Sequence, residues 1–316
     1  MSFFKNGLFN TLIASSPIRE IQQKPLREKI NKISSKQIFT SSNSQSIEIF
    51  QTDLFKKKVI FLPGWLGHKD SKYLIPLANL LHIKNFDIIR IHPIDHGNTE
   101  HLNKDFFRAT DIQTLIEAVK SIGNKYPDNE IHLIGFSLGG NIALRISASA
   151  EINFLKSTVV LSPVIDPENS MHAMDNTSWI LKKYFLNKWQ KTLRRKIRLY
   201  EIADVEKALK YKNLEDMTEF FTENFSPHKN TKELFSGYAI TQDTLDKIKH
   251  STLIYSSIDD PCVPIEPLNK LDQTNYVIFK PQEYGGHCGF IDNFKFSSSV
   301  YDEIVSKLDE SLKASA

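Results

Sequence analysis

The sequence predicts an α/β protein: a mostly parallel, doubly wound sheet interrupted by one helical insertion. Three observations carry the prediction. Short apolar runs alternate with longer stretches of helical periodicity, the pattern of a parallel sheet covered on both faces. The alternation stops near residue 166 and resumes at Thr252, and the stretch 166–245 carries helical signals without strands. Inside the alternation, an apolar run ends in Gly135-Phe136-Ser137-Leu138-Gly139 and passes straight into a small-residue helix start, Gly140-Asn141-Ile142-Ala143. A single domain over 1–316 follows, with 1–35 as an N-terminal extension packed on it and 166–245 as a helical cap inserted in it.

Each element has its own signal. Residues 36–40 and 46–52 are short strand candidates separated by the polar turn Ser41-Ser42-Asn43-Ser44. Residues 58–62 (K-V-I-F-L) are a buried strand that runs into Pro63-Gly64-Trp65-Leu66-Gly67-His68. A helix is expected over 71–82, with Leu74, Leu77, Leu80 and Leu81 at helical spacing. Residues 86–91 form the next strand, and 110–126 a helix with Ile112, Leu115, Ile116, Val119 and Ile122 on one face. After the turn signal Pro127-Asp128-Asn129 comes a strand ending at Phe136, and 157–161 is another. The segment 166–245 is rich in aromatics (Trp179, Tyr184, Phe185, Trp189, Tyr200) and in Lys and Arg. Strands at 252–256 and 275–279 and a final helix over 296–312 complete the pattern.

Bulk properties exclude several classes. The net charge of +3 is too weak to imply a nucleic-acid partner. Two cysteines in 316 residues fit a reducing, cytoplasmic setting without a disulfide framework. No apolar run approaches the roughly 20 residues of a membrane span. Residues 1–16 are apolar in places, but Asn6 and Asn10 interrupt them and only Lys5 precedes, which argues against a signal peptide.

The chemistry begins at Ser137. A strand, a sharp turn of the form G-x-S-x-G and a helix make the context of a nucleophile elbow, in which the serine is held at strained backbone angles. Serine needs an adjacent base, and a histidine base needs a third group to hold it. In this arrangement the acid and then the histidine follow in the chain, each on a loop after a strand. The strand at 252–256 leads to Asp259-Asp260-Pro261-Cys262-Val263-Pro264. The strand ending at Phe279 leads to Gly285-Gly286-His287-Cys288-Gly289-Phe290. Both arrive in the required order. The oxyanion hole would use the backbone N–H of Leu138 and that of Trp65, whose neighbour Gly64 lets the backbone come close. Of the ten histidines, His132 reads as structural, and His82, His101, His172, His228 and His250 as solvated or satisfied. His68, His92 and His96 fall on loops after strands, where loop hydrogen bonding is the favoured role. His92, Asp95 and His96 lack a third well-spaced metal ligand, so no metal and no cofactor is expected.

The chain resembles the α/β-hydrolases, and within them the YheT family (AB hydrolase 4 family). Asn6-Gly7-Leu8-Phe9-Asn10-Thr11 resembles that family's N-G-H-L-Q-T, with Leu8 in the histidine's place. Gly135-Phe136-Ser137-Leu138-Gly139-Gly140-Asn141, Asp259-Asp260-Pro261 and Gly285-Gly286-His287-Cys288-Gly289-Phe290 resemble its other motifs. Pro63 stands where hydrolases commonly carry the histidine of an H-G pair. The resemblance implies an α/β-hydrolase fold and carboxylic-ester hydrolysis, with Ser137, Asp260 and His287 as the triad. Asp260 is preferred to Asp259 because the acid commonly stands four positions before the proline of a D-x-x-V-P-like turn, here Pro264. Acyl transfer with the same triad, and a lipid-handling or non-catalytic protein on the same fold, are the alternatives. Lys182, Lys183, Lys188, Lys191, Arg194, Arg195, Lys196 and Arg198 suggest membrane-surface contact, but a solvated basic face is the preferred reading.

Overall fold

A computed structural model describes residues 3–202 and 204–310. Along the chain the elements are α1 (Gly7–Ala14), α2 (Pro17–Lys32), β1 (Ser35–Thr40), β2 (Ser46–Gln51), β3 (Lys57–Leu62), α3 (Leu74–Ile83), β4 (Phe86–His92), α4 (Gln113–Lys125), β5 (Glu130–Phe136), α5 (Leu138–Ser147) and β6 (Leu155–Leu161). Then come α6 (Pro167–Asn176), α7 (Trp179–Tyr200), α8 (Val205–Ala208), α9 (Leu214–Phe225), α10 (Thr231–Ser236) and α11 (Gln242–Lys247). The sheet resumes with β7 (Ser251–Ser257) and β8 (Val277–Gln282), and α12 (Ser299–Glu310) follows. The strands form one eight-stranded sheet in the order β1-β2-β4-β3-β5-β6-β7-β8. All pairings from β4 to β8 are parallel, and β2 is antiparallel to both β1 and β4. The expected doubly wound α/β-hydrolase sheet is therefore present.

Alternate residues of each strand feed opposite faces. Ile60, Leu62, Leu133 and Val160 join one core, which α4, α5 and α11 cover with Ile116, Val119, Ile142, Leu144 and Leu245. Val59, Phe61, Ile134, Phe136, Val159 and Leu161 join the other, covered by α3, α12 and Ile30 of α2. Each such side chain contributes roughly 1.5–3 kcal/mol on burial, which fixes strand register against a one-residue slip.

Some boundaries differ from the sequence reading. The helix expected from residue 71 starts at Leu74, because residues 68–74 are taken up by turns such as Ser71 N to His68 O. The last strand begins at Val277 and runs through Pro281 to Gln282. The final helix begins at Ser299, after Phe296 has entered the left-handed region at φ 59°. Its expected end at Leu312 lies outside the described residues. Between β6 and β7 the described chain forms six helices and no strand.

Candidate active site

Ser137 stands between β5 and α5 with φ 53° and ψ −121°. Holding a residue with a side chain there costs on the order of 1–3 kcal/mol, which the surroundings must impose. They do so by crowding. A Cβ on Gly135 would lie 2.3 Å from Gly139 O, and one on Gly139 would lie 2.3 Å from Pro63 O. Glycine at both positions lets β5, α5 and the 63–64 loop converge on one turn. Ser137 N donates to Leu161 O at 2.9 Å, tying the turn to the end of β6.

The loops after β7 and β8 bring two further side chains to this turn. His287 Nε2 lies 2.9 Å from Ser137 Oγ, and its Nδ1 lies 2.9 Å from Asp260 Oδ2. An Nδ1–H donated to the carboxylate leaves Nε2 free to accept the serine proton. Asp260 Oδ1 accepts from Cys262 N at 2.8 Å and Val263 N at 2.9 Å, so the carboxylate is held from both sides. Asp259 faces elsewhere: its Oδ1 accepts from Gly286 N at 2.9 Å and from Ser257 Oγ. The carboxylate that meets His287 is that of Asp260.

The N-terminal helix clamps both loops, which sequence reasoning missed. Thr11 Oγ1 accepts from His287 N at 2.8 Å and donates to Gly7 O at 2.7 Å. Asn10 Nδ2 donates to Ile291 O at 2.9 Å, and its Oδ1 accepts from Ile291 N at 3.2 Å. Gly7 packs against the acid loop so closely that a Cβ there would lie 1.7 Å from Asp259 O, and a Cβ on Gly286 would lie 2.2 Å from Gly7 O. The available signal was the pair Asn10-Thr11, polar residues amid Leu8, Phe9, Leu12 and Ile13.

Leu138 and Trp65 carry backbone N–H groups close to the nucleophile turn. Leu138 is the first residue of α5, so its N–H has no acceptor within the helix. Trp65 N–H has no acceptor among the described residues. The loop carrying it is pinned by Gly64 N donating to Tyr73 Oη at 2.9 Å. It lies against the serine, since a Cβ on Gly64 would be 3.1 Å from Ser137 Cβ. Burial pushes the Tyr73 phenol well up, so it stays neutral.

Ser137 and His287 open into a cavity of about 220 Å³. Its walls are mainly apolar: Trp65 from the β3 loop, Phe106 and Phe107 from the loop after β4, Phe185 and Trp189 from α7, and Phe221 and Phe225 from α9. Trp65 stacks on Phe185 at 6.4 Å and meets Trp189 edge-on at 5.0 Å.

Two of the other histidines are held by hydrogen bonds away from this relay. His92 Nε2 accepts from Lys69 N at 2.7 Å, and its Nδ1 lies 3.2 Å from Glu48 Oε2. His96 Nδ1 donates to Ile94 O at 2.8 Å, and burial lowers its pKa to about 3. None of His68, His92 and His96 lines the cavity. Asp260, Cys262 and His287 bring ligand atoms within 4.8 Å of one another. They fit a metal poorly: burial raises the Cys262 thiol well above its ordinary value, and His287 is engaged at both nitrogens.

The basic face of α7 is solvated in part: Lys183, Lys191, Arg194 and Arg198 are exposed, as the sequence suggested, and others are not. Lys196 is fully buried and bonds Asp95 Oδ1 at 2.5 Å, Arg195 reaches Asn98, and Lys182 meets Asp175 at 3.3 Å. These contacts hold α7 to the rest of the protein because a buried cation needs its counter-charge.

The model of the alpha/beta hydrolase fold family matches residues 57–294. Protein abhd-3.2 of Caenorhabditis elegans is 23% identical over 245 residues, 74% of this chain and 64% of that protein. Phospholipase ABHD3 of Bos taurus is 21% identical over 302 residues, 91% of this chain and 72% of that one. The chain thus spans less than two thirds of the first of these relatives. Among solved structures, 2,6-dihydroxy-pseudo-oxynicotine hydrolase matches with a TM-score of 0.60 at 16% identity, covering 92% of this chain and 74% of the other. The Pyrococcus furiosus esterase PF2001 matches with a TM-score of 0.58 at 17% identity, covering 91% and 93%. At these identities the structural matches establish the fold.

Proposed function

This chain belongs to the alpha/beta hydrolase fold family, and we propose that within it the protein is a serine hydrolase that cleaves carboxylic esters through an acyl-enzyme intermediate. The observation that carries this reading is the unbroken relay from Asp260 through His287 to Ser137, with both hydrogen bonds at 2.9 Å. Ser137 Oγ attacks the ester carbonyl while His287 Nε2 takes its proton. The N–H groups of Leu138 and Trp65 stabilise the oxyanion. Collapse of the tetrahedral intermediate expels the alcohol, which receives the proton from His287. Water, activated by the same imidazole, then frees the acid and restores Ser137. Asp260 keeps the ring oriented and stabilises the imidazolium. Relatives named esterase and phospholipase support an ester as substrate.

Two further assignments belong to this reading. We assign the chain to the YheT group, supported by the Asn6–Thr11 motif lying against the acid and histidine loops. The segment 166–245 acts as a cap that selects substrates, supported by the contribution of α7 and α9 to the cavity wall. No helix among the described residues is long and apolar enough to cross a membrane. Cys262 and Cys288 are both free thiols, which supports a cytoplasmic setting.

The test is a fluorophosphonate probe with mass spectrometry of the adduct, followed by turnover of p-nitrophenyl esters of increasing chain length. The adduct is expected on Ser137, and turnover is expected to fall by several orders of magnitude in Ser137→Ala. Labelling that persists in Ser137→Ala overturns the assignment.

A further inference from the structure

The cavity wall carries four charged or titrating side chains of the His, Lys, Arg and acidic types among the described residues, and three of them are paired. Asp95 is held by Lys196, Arg108 by Asp111 at 3.7 Å, and His287 by Asp260. Lys188 is the fourth. It has no acidic partner and no hydrogen bond among the described residues, and its nearest aromatic neighbour is the Tyr184 ring at 5.4 Å.

Its place on α7 is not incidental. Leu181, Tyr184, Phe185, Lys188 and Thr192 line the cavity at offsets of three, four, seven and eleven residues, which is one face of a helix. Of the eight basic residues between Lys182 and Arg198, Lys188 is the one on that face. The others are exposed or reach carboxylates and carbonyls, Lys196 among them reaching Asp95 of the wall without lining the cavity itself.

We propose that Lys188 is an anion-binding subsite of the cavity, and that the substrate is an amphiphile: an ester with an apolar chain that also carries an oxyanion, phosphate or carboxylate. The anion site stands on its own geometry, and only its role in substrate selection rests on the esterase reading. Burial lowers the Lys188 pKa to about 8, with Lys72 adding to the shift, so at neutral pH the side chain is mostly an ammonium. The charge is also felt by His68, whose pKa falls to about 4, first through burial and next through Lys188. Lys72 is already satisfied by Glu20 and Ser15 O, both at 3.0 Å. A partly buried cation without a counter-charge, in a mainly apolar wall that includes Trp65, Phe185 and Trp189, favours a ligand that is apolar over its length and anionic at one point.

Calorimetric titration with octyl phosphate, octanoate and octanol tests this without requiring turnover. The wild type is expected to bind at least one of the two anions roughly ten- to hundredfold more tightly than octanol, the range for a charge-assisted hydrogen bond. Lys188→Met, which keeps the length of the stem, should abolish that preference, and Lys188→Arg should retain it. Preference for octyl phosphate alone identifies a phosphate site, preference for octanoate alone a carboxylate site, and preference for both a general oxyanion site. Equal binding of anions and octanol by the wild type, or an unchanged preference in Lys188→Met, overturns the proposal. In a parallel arm, the kcat/KM of octanoyl esters of 2-hydroxyethyl phosphate and of 2-methoxyethanol is compared. The ratio between them should fall about tenfold in Lys188→Met, chiefly through KM. Anion binding without any ester turnover would remove the esterase reading and leave the subsite in place.

Discussion

Replacing Gly7 by alanine inverts an ordinary rule. In a helix interior the change normally adds roughly 0.5–1 kcal/mol of stability, and at the first residue of α1, where Gly7 stands, it would ordinarily be harmless. Here the new Cβ would sit 1.7 Å from Asp259 O and 2.8 Å from Asp259 Cγ, where real contacts are not found below 3.0 Å. Helix and acid loop must therefore part by more than an ångström, about 1.3 Å by these distances. Asp260 is the next residue, and its bond to His287 has little slack at 2.9 Å. Opening by that amount takes the pair beyond hydrogen-bond reach. Misplacement of a catalytic group by about 1 Å costs on the order of a hundredfold in rate. Overpacking of this kind costs about 1–3 kcal/mol in stability. The expected result for Gly7→Ala is a kcat on p-nitrophenyl octanoate reduced about a hundredfold, with a lower melting temperature. Leu8→Ala, on the exposed side of the same helix, is the control and should stay within about 0.5 kcal/mol of wild type. A Gly7→Ala protein with turnover within twofold of wild type would refute the idea that α1 sets the acid's position.

Three more outcomes follow from the same geometry. Asp260→Asn should reduce ester turnover by about ten-thousandfold through loss of the correct histidine tautomer, while Asp259→Asn, which keeps an acceptor for Gly286 N, should reduce it far less; the reverse order in steady-state kinetics would reassign the acid. Lys196→Met strands Asp95 in the protein interior and should cost about 3–5 kcal/mol in chemical denaturation, with much of that recovered in the Lys196→Met, Asp95→Asn double variant; an additive double variant would show that the two residues do not act as a pair. Glu48 is held at a pKa of about 2, first by its hydrogen bond to His92 and also by Lys36, against an ordinary value of 4.5. The unfolded chain takes up this proton first, so the contribution is complete above pH 4.5 and is lost as pH falls toward about 2. Glu48→Gln should flatten the stability curve across that window, and an unchanged slope would count against the role given to Glu48.

The sheet was legible because its strands are buried on both faces. A run such as Val59-Ile60-Phe61-Leu62 has no polar alternation to confuse with a helix, and its length decides for a strand. Edge elements were less legible for the opposite reason. The last strand continues past its expected end at residue 279 through Pro281, although proline removes a ladder donor. β8 is the edge of the sheet, where the missing N–H faces away from β7 and costs nothing. The acid and histidine loops were legible because their order in the chain follows from the order of the strands, and strand order is a local pattern. The clamp from α1 had no such handle: Thr11 and His287 are 276 residues apart, and no periodicity connects them. Lys188 was hidden by a different limit. Counting its neighbours identifies a basic helix, but which side chain enters the cavity depends on the rotational phase of α7 against the sheet. That phase is set by side chains far away in sequence, among them Asp95, which fixes Lys196, and Trp65, which stacks on Phe185. The stripe of Leu181, Phe185, Trp189 and Leu193 marks one buried face of α7 but does not say which flanking cation turns into the cavity. The direction of its charges therefore comes from tertiary contacts, and Lys188 is the cation of α7 that they leave on the cavity wall without a counter-charge.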